Sequence, residues 1–354
     1  MKKLHKLILA SLSLLLLIQA CKTEIDLYAP KEDIWVVYCI LNLEDSVQYV
    51  RVSKAFQVEG DAFAYAGEQD LTVRNLTVQL SGPDGTLKAV PVDTLLREAG
   101  LFTATQQLYR LDTRGDFSLQ QGVQYTLTVE ADSLPGLFLE GKTRIPQAPN
   151  IQHPSSGIRN DSIACLSTWS LEDSLQIVFG TREPGSGPSG AMSFQIQATM
   201  PFQDNGEWKE AIFGPTKAFY GSSGCGSSNG DVRCYEISKE AVLFAFQNSL
   251  PQGGGPYTYA GDKRCAATES LLPEPVCLEI LAIDTVLTKS MIANDPRYAN
   301  YNTVRIEFTN MLGSERVVGV VGSVASAKRY LVLSRCAEWR LGLNAVRQRP
   351  RNCN

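Results

Sequence analysis

Gln124-Tyr125-Thr126-Leu127-Thr128-Val129 alternates between bulky and polar side chains, and Leu134-Pro135-Gly136 then turns the chain into Leu137-Phe138-Leu139. Successive side chains of a strand point to opposite faces, so this is the pattern of a strand with one buried and one wet face. The reading extends upstream. Ile34-Trp35-Val36-Val37-Tyr38-Cys39-Ile40-Leu41 is a continuous apolar strand, and Val47 to Phe56 alternates more. Leu71 to Leu80 leads into Ser81-Gly82-Pro83-Asp84-Gly85, a hairpin-type turn before Leu87 to Val92. Short strands at roughly 8–12-residue spacing, with no helical period, predict a β-sandwich of the immunoglobulin or fibronectin type.

Arg144-Ile145-Pro146-Gln147-Ala148-Pro149-Asn150 reads as a connector, because two prolines favour an extended chain. The expected division is a leader at 1–20, a tether at 21–33, a first sandwich at 34–146 and a second, mostly β unit at 147–354. Strand signals in the second unit include Leu175-Gln176-Ile177-Val178-Phe179 and Ser193-Phe194-Gln195-Ile196-Gln197-Ala198. The segment Leu43-Glu44-Asp45-Ser46-Val47-Gln48 is echoed by Leu171-Glu172-Asp173-Ser174-Leu175-Gln176, which suggests two related sandwiches. Two short helices are expected, Ser238 to Ser249 and Asp284 to Asn294, each opened by a capping residue. Strands Val304 to Phe308, Val317 to Val321 and Arg329 to Leu333 close the chain. Gly/Ser-rich stretches at 184–190, 221–230 and 252–255 read as surface loops.

The 354 residues are 44% hydrophobic and 20% charged, which excludes a disordered chain and a coiled coil. Formal charge is −4, and removal of Lys2, Lys3 and Lys6 with the leader makes it −7. An acidic chain lacks the electrostatic footprint of a nucleic-acid binder.

The chain opens MKKLHK and continues LILASLSLLLLIQA before Cys21. A basic start and about a dozen apolar residues make a secretory signal rather than a membrane span. Ile18-Gln19-Ala20-Cys21 has the form of a bacterial lipobox, in which the cysteine thiol takes a diacylglycerol and its freed amine a further chain (such as palmitate). Two or three chains anchor a protein stably, at roughly 0.8 kcal/mol per buried CH₂. The competing reading is an ordinary leader with an incidental cysteine. No Asp follows Cys21, so an inner-membrane retention signal is missing. Outer-membrane location is expected, with the cell surface as the expected side.

Six of the 17 Asp residues open Asp-Ser/Thr-aliphatic tripeptides, with hydroxyls at Ser46, Thr94, Ser133, Ser162, Ser174 and Thr285. The pattern resembles the acceptor motif of the Bacteroidota O-glycosylation system for exported proteins. Asp-Ser and Asp-Thr also open turns and helices, so a purely local role stands beside that one.

Nine cysteines minus Cys21 leave eight in an exported chain, where disulfides are permitted. Local pairs would be Cys225–Cys234, Cys265–Cys277 and Cys336–Cys353, among 105 possible connectivities. Cys39, inside an apolar strand, reads equally as a buried thiol. The histidines are His5 and His153, and His5 leaves with the leader. A multi-histidine metal site is therefore impossible within one mature chain, and a Ser-His-Asp hydrolase would hang on a loop residue beside Pro154. Glu44-Asp45 and Glu172-Asp173 are adjacent pairs that strands would point apart. Neither an enzyme nor a cofactor is expected. Trp208, Tyr220, Tyr257 and Tyr259 lie near loops and offer an alternative reading as an adhesin or glycan binder.

The tract Gly122-Val123-Gln124-Tyr125-Thr126-Leu127-Thr128-Val129, with Leu139-Glu140-Gly141-Lys142-Thr143-Arg144-Ile145-Pro146, resembles the signature of Bacteroidota outer-membrane lipoproteins of domain-of-unknown-function family 4249. Cys21-x-x-Glu24-Ile25-Asp26 and Glu307-Phe308-Thr309-Asn310 with Val317 to Val324 look similar too. The resemblance implies a non-enzymatic accessory lipoprotein that helps a TonB-dependent receptor capture its substrate. It carries over no catalytic residue. The extra cysteines and Gly/Ser-rich loops depart from the family's usual pattern.

Overall fold

In the computed structural model, the described residues are 34–55, 61–94, 106–131, 133–153, 163–165, 174–180, 191–219, 232–251, 258–259, 276–293, 309–332 and 335–343. The fold is mainly β. Its strands are β1 Trp35–Asn42, β2 Val47–Lys54, β3 Leu76–Gly82, β4 Gly85–Lys88, β5 Val90–Thr94, β6 Gln106–Asp112, β7 Gln124–Ala131, β8 Phe138–Arg144 and β9 Asn150–His153. They continue as β10 Ile163–Cys165, β11 Ser174–Gly180, β12 Ala191–Asp204, β13 Glu207–Phe219, β14 Val232–Ser238, β15 Thr258–Tyr259, β16 Val276–Asp284, β17 Met311–Gly313 and β18 Val317–Val332. Among the described residues four short helices interrupt them: α1 Ala62–Glu68, α2 Lys239–Ser249, α3 Thr285–Ala293 and α4 Arg335–Leu341.

The strands form three sheets. A ten-stranded sheet runs β13-β12-β16-β18-β1-β2-β6-β5, with β10 on β18 and β15 on β12. A five-stranded sheet runs β17-β8-β7-β3-β4, and a three-stranded one β14-β11-β9. One hydrophobic cluster joins Trp35, Val37, Leu41, Val50 and Leu111 of the large sheet to Val78, Leu80, Leu127, Val129 and Leu139 of the five-stranded sheet. A second joins Ile177 and Phe179 of the small sheet to Ile196, Met200, Leu278 and Ile280 of the large one, with Phe246 of α2.

Strand β18 links the two clusters. Its first half pairs in parallel with β1, Trp35 opposite Val317 and Asn42 opposite Val324. From Val324 onward it pairs antiparallel with β16. Val317 to Val321 and Arg329 to Leu333, expected as separate strands, thus fall on one 16-residue strand as far as its end at Val332, and Leu333 lies outside the described residues. Gly319 permits this: at φ +137° it lies so close to the Val37 backbone that a Cβ would collide with it. β17 likewise pairs with β8. The division at 146/147 is therefore crossed by strands that sit late in the sequence but share sheets and core with residues 34–146.

Two further expectations change. Leu71 to Leu80 is not one strand, because Asn75 adopts φ +59° and β3 begins only at Leu76. Leu87 to Val92 divides at Ala89, whose N–H donates to the Val78 carbonyl. β4 stays with β3 in the five-stranded sheet, whereas β5 crosses to β6 in the large one. The expected helices appear as α2 and α3, while α1 and α4 were not anticipated. Val304 to Phe308 and the loops at 184–190, 221–230 and 252–255 lie outside the described residues.

Candidate functional site

The pair of sheets around the first cluster exposes two outward faces. On the five-stranded sheet, alternation places Lys88, Gln79, Thr128, Glu140 and Leu312 in one cross-strand row, and Thr86, Ser81, Thr126 and Lys142 in the next. That face is polar, with Leu312 and Phe138 as its apolar exceptions.

The outward face of the large sheet is built differently. Val36 lies between Val318 and Ser53, Tyr38 between Val320 and Arg51, and Arg110 between Tyr49 and Val90. Leu108 faces Val92, and Val47 faces Asp112. Tyr38 and Ile40 are each 50% exposed, Tyr49 42% and Val90 59%. At the β18 end α3 packs on this sheet, so that a Cβ on Gly322 would sit 2.8 Å from Leu287 Cβ. The continuous apolar run 34–41 therefore serves two surfaces: Trp35, Val37, Cys39 and Leu41 fill the core, and Val36, Tyr38 and Ile40 face outward.

A buried polar knot lies where β8, β16, β18 and α3 meet. Asp284, 2% exposed, accepts from the Leu287 N–H at 2.7 Å and so caps α3, as its position in the sequence predicts. Its other oxygen accepts from the Thr143 hydroxyl and, at 3.3 Å, from Ser323, whose hydroxyl also lies 2.9 Å from the Arg144 carbonyl. Burial raises the Asp284 pKa above the ordinary carboxylate value, against the opposing pull of bonds from Thr143, Leu287 and Ser323. A carboxylate this enclosed is a structural tie rather than an exposed acid or base. Sequence reading found the cap but not its partners.

The hydroxyls of the Asp-Ser/Thr tripeptides occupy varied settings. Ser46 is half-buried in the β1–β2 turn, where its carbonyl accepts from the Thr113 N–H. Ser133 is exposed in the β7–β8 turn. Thr94 and Ser174 lie on β5 and β11, and half-buried Thr285 is the first residue of α3. Ser162 lies outside the described residues.

Among the cysteines, Cys39 is a buried thiol whose pKa burial pushes up to about 12. Cys277 is half-buried on β16, and Cys265, its expected partner, lies outside the described residues. Val276 and Leu278 on either side of it face the core, which turns the Cys277 side chain to the opposite face of the sheet. Cys234 is buried on β14 and is disulfide-bonded, its partner lying outside the described side chains. The Cys336 backbone belongs to α4, and Cys21, Cys225, Cys265 and Cys353 lie outside the described residues. His153 ends β9. Among the aromatics of the alternative reading, Trp208 is 50% exposed beside the Asn205-Gly206 turn of the β12–β13 hairpin. The Tyr259 backbone pairs with Phe202, and Tyr220 and Tyr257 lie outside the described residues.

Among the described residues no three His, Cys, Asp or Glu side chains group as metal ligands, and no helix is long and apolar enough to cross a membrane. Comparison with protein-family models and with curated proteins finds no match to this chain.

Proposed function

We propose that the protein is a non-enzymatic lipoprotein of the outer membrane, anchored through acyl chains on Cys21, that serves a TonB-dependent receptor as an accessory in substrate capture. The observation that carries this reading is Ile18-Gln19-Ala20-Cys21 at the end of a basic-then-apolar leader. Confinement to the membrane raises the effective concentration of the β surfaces at a membrane partner.

The finer architecture in this proposal is a β-sandwich in each half. In the first half, two sheets sharing one core support it. So does Tyr125, near the start of β7, whose hydroxyl donates to the Ser118 carbonyl at 3.0 Å and accepts from the Gln120 N–H at 2.9 Å. This is the bonding of a tyrosine corner, a mark of immunoglobulin-like Greek keys.

Mild detergent extraction followed by mass spectrometry of co-purifying proteins tests the role. A stoichiometric TonB-dependent barrel is the expected result, and recovery of the acylated chain alone contradicts it. Half-exposed Trp208 favours one second reading, a free-standing glycan-binding adhesin. A glycan array without hits removes that reading.

A further inference from the structure

We infer that the outward face of β1, β2, β6 and β5 rests on the bilayer surface to which Cys21 anchors the chain. The inference depends on the lipoprotein reading and adds to it an orientation, with one particular face turned to the lipid.

Three observations lead there. The first is chemical. Four of the twelve large hydrophobic residues exposed among the described residues, Tyr38, Ile40, Tyr49 and Val90, lie on this one face. Half-buried Val36, Val47, Leu108 and Val92 continue it. Solvent-facing strands ordinarily alternate toward polar residues, as the opposite sheet does with Thr126, Thr128, Gln79 and Ser81. Contiguous exposed apolar surface marks a contact with a partner or a membrane.

The second observation concerns which polar groups accompany it. The charged residues among the apolar ones are few: Arg51, which is half-buried and already partnered, and Arg110 and Asp112, which pair with each other at 3.3 Å. A face with so little unpaired charge and with tyrosines suits a lipid interface, where the phenol sits at headgroup level and the ring beside the acyl chains.

The third is the geometry of attachment. Thirteen residues, Cys21 to Asp33 with the anchor as the first of them, precede Ile34, and β1 begins at Trp35. Fully extended, they reach roughly 45 Å. The chain therefore enters the fold through the strand that carries Tyr38 and Ile40, and the tether lets the face lie flat on the bilayer without strain. The polar face of the five-stranded sheet, on the far side of the core, then points away from the lipid.

The test uses the acylated full chain in vesicles of phosphatidylethanolamine and phosphatidylglycerol, with and without bromine on the lipid acyl chains. Ile40→Trp and Tyr38→Trp each add one reporter to the apolar face, and Thr128→Trp adds one to the polar face. Acylation holds all three variants on the vesicle, so the comparison reads orientation alone. The expected result is loss of emission with brominated lipid, and a blue shift, for Ile40→Trp and Tyr38→Trp but not for Thr128→Trp. Equal emission from all three overturns the inference. So does a blue shift of the Ile40→Trp signal that needs a co-reconstituted barrel, since the face would then meet protein. Tyr38→Trp is the conservative member, so the test survives failure of Ile40→Trp to fold. An extracted protein whose mass shows no lipid on Cys21 defeats the lipoprotein reading instead, and the two failures are told apart by that mass.

Discussion

The two outward faces around the first core share their strand geometry and differ in chemistry. One is a lattice of Thr, Gln, Ser, Lys and Glu, and the other is mostly Val, Tyr, Ile and Leu. Both sheets turn an equally apolar side inward, so core packing does not demand the difference. A sheet that needs only to fold can keep its outer side polar, and one that does not carries a surface to be covered. The comparison teaches that burial and function are written on alternate residues of the same strand. In β1, odd positions from Trp35 to Leu41 build the core and even ones from Val36 to Ile40 face outward.

The comparison breaks first if the frame that holds the faces is removed. Gly319→Val drives a side chain into the Val37 backbone at a positive φ, where β18 joins β1. Thermal or denaturant unfolding should register a loss of about 3 kcal/mol or more, or failure to fold. A melting temperature near that of the parent would mean the β1–β18 contact is looser than described.

Next comes the contrast between inward and outward positions of one sheet pair. Leu127→Ala empties fully buried space and should cost about 2–5 kcal/mol. Ile40→Ala, measured on the detergent-extracted protein, should cost under about 1 kcal/mol because half of that side chain is already exposed. Similar losses at the two positions would mean that Ile40 is packed, and the apolar face would cease to be a free surface.

The polar knot gives a smaller effect with a defined sign. Burial holds the Asp284 pKa above its ordinary 3.8, so the folded chain binds that proton more tightly than the unfolded chain. This group's contribution to stability is fully present at pH below the unfolded value and is lost as pH rises through the raised folded value. Asp284→Asn should flatten that part of the stability profile, and an unchanged slope between pH 3.8 and the raised value would assign it to other carboxylates. Smallest is the exchange of face chemistry: Thr128→Val and Ile40→Thr should each move stability by no more than about 0.5 kcal/mol. They should shift retention on a hydrophobic matrix in opposite directions.

Much of this was legible in the sequence where the signal is local. The alternation of β7, the continuous run of β1 and the Asp284 cap of α3 need only neighbouring residues to be read. The rest depends on contacts distant along the chain. Nothing near Ala89 announces that β4 and β5 part into different sheets, and nothing in the expected strand Val317 to Val321 announces that the Val37 backbone lies against Gly319. Thr143 and Ser323, which surround Asp284, lie 141 and 39 residues from it. The apolar face was half visible, since Tyr38 and Ile40 stand in the quoted run. Their neighbours Tyr49, Leu108 and Val90 come from strands whose order no periodicity reveals.

The central claim is that Cys21 fastens this fold to a membrane. The most direct measurement is the intact mass and N-terminal fragment spectrum of the protein extracted from its native membrane. The account predicts a chain that begins at Cys21, with residues 1–20 removed and diacylglyceryl and amide-linked acyl groups on that cysteine. A chain cleaved elsewhere, or an unmodified Cys21, would contradict it.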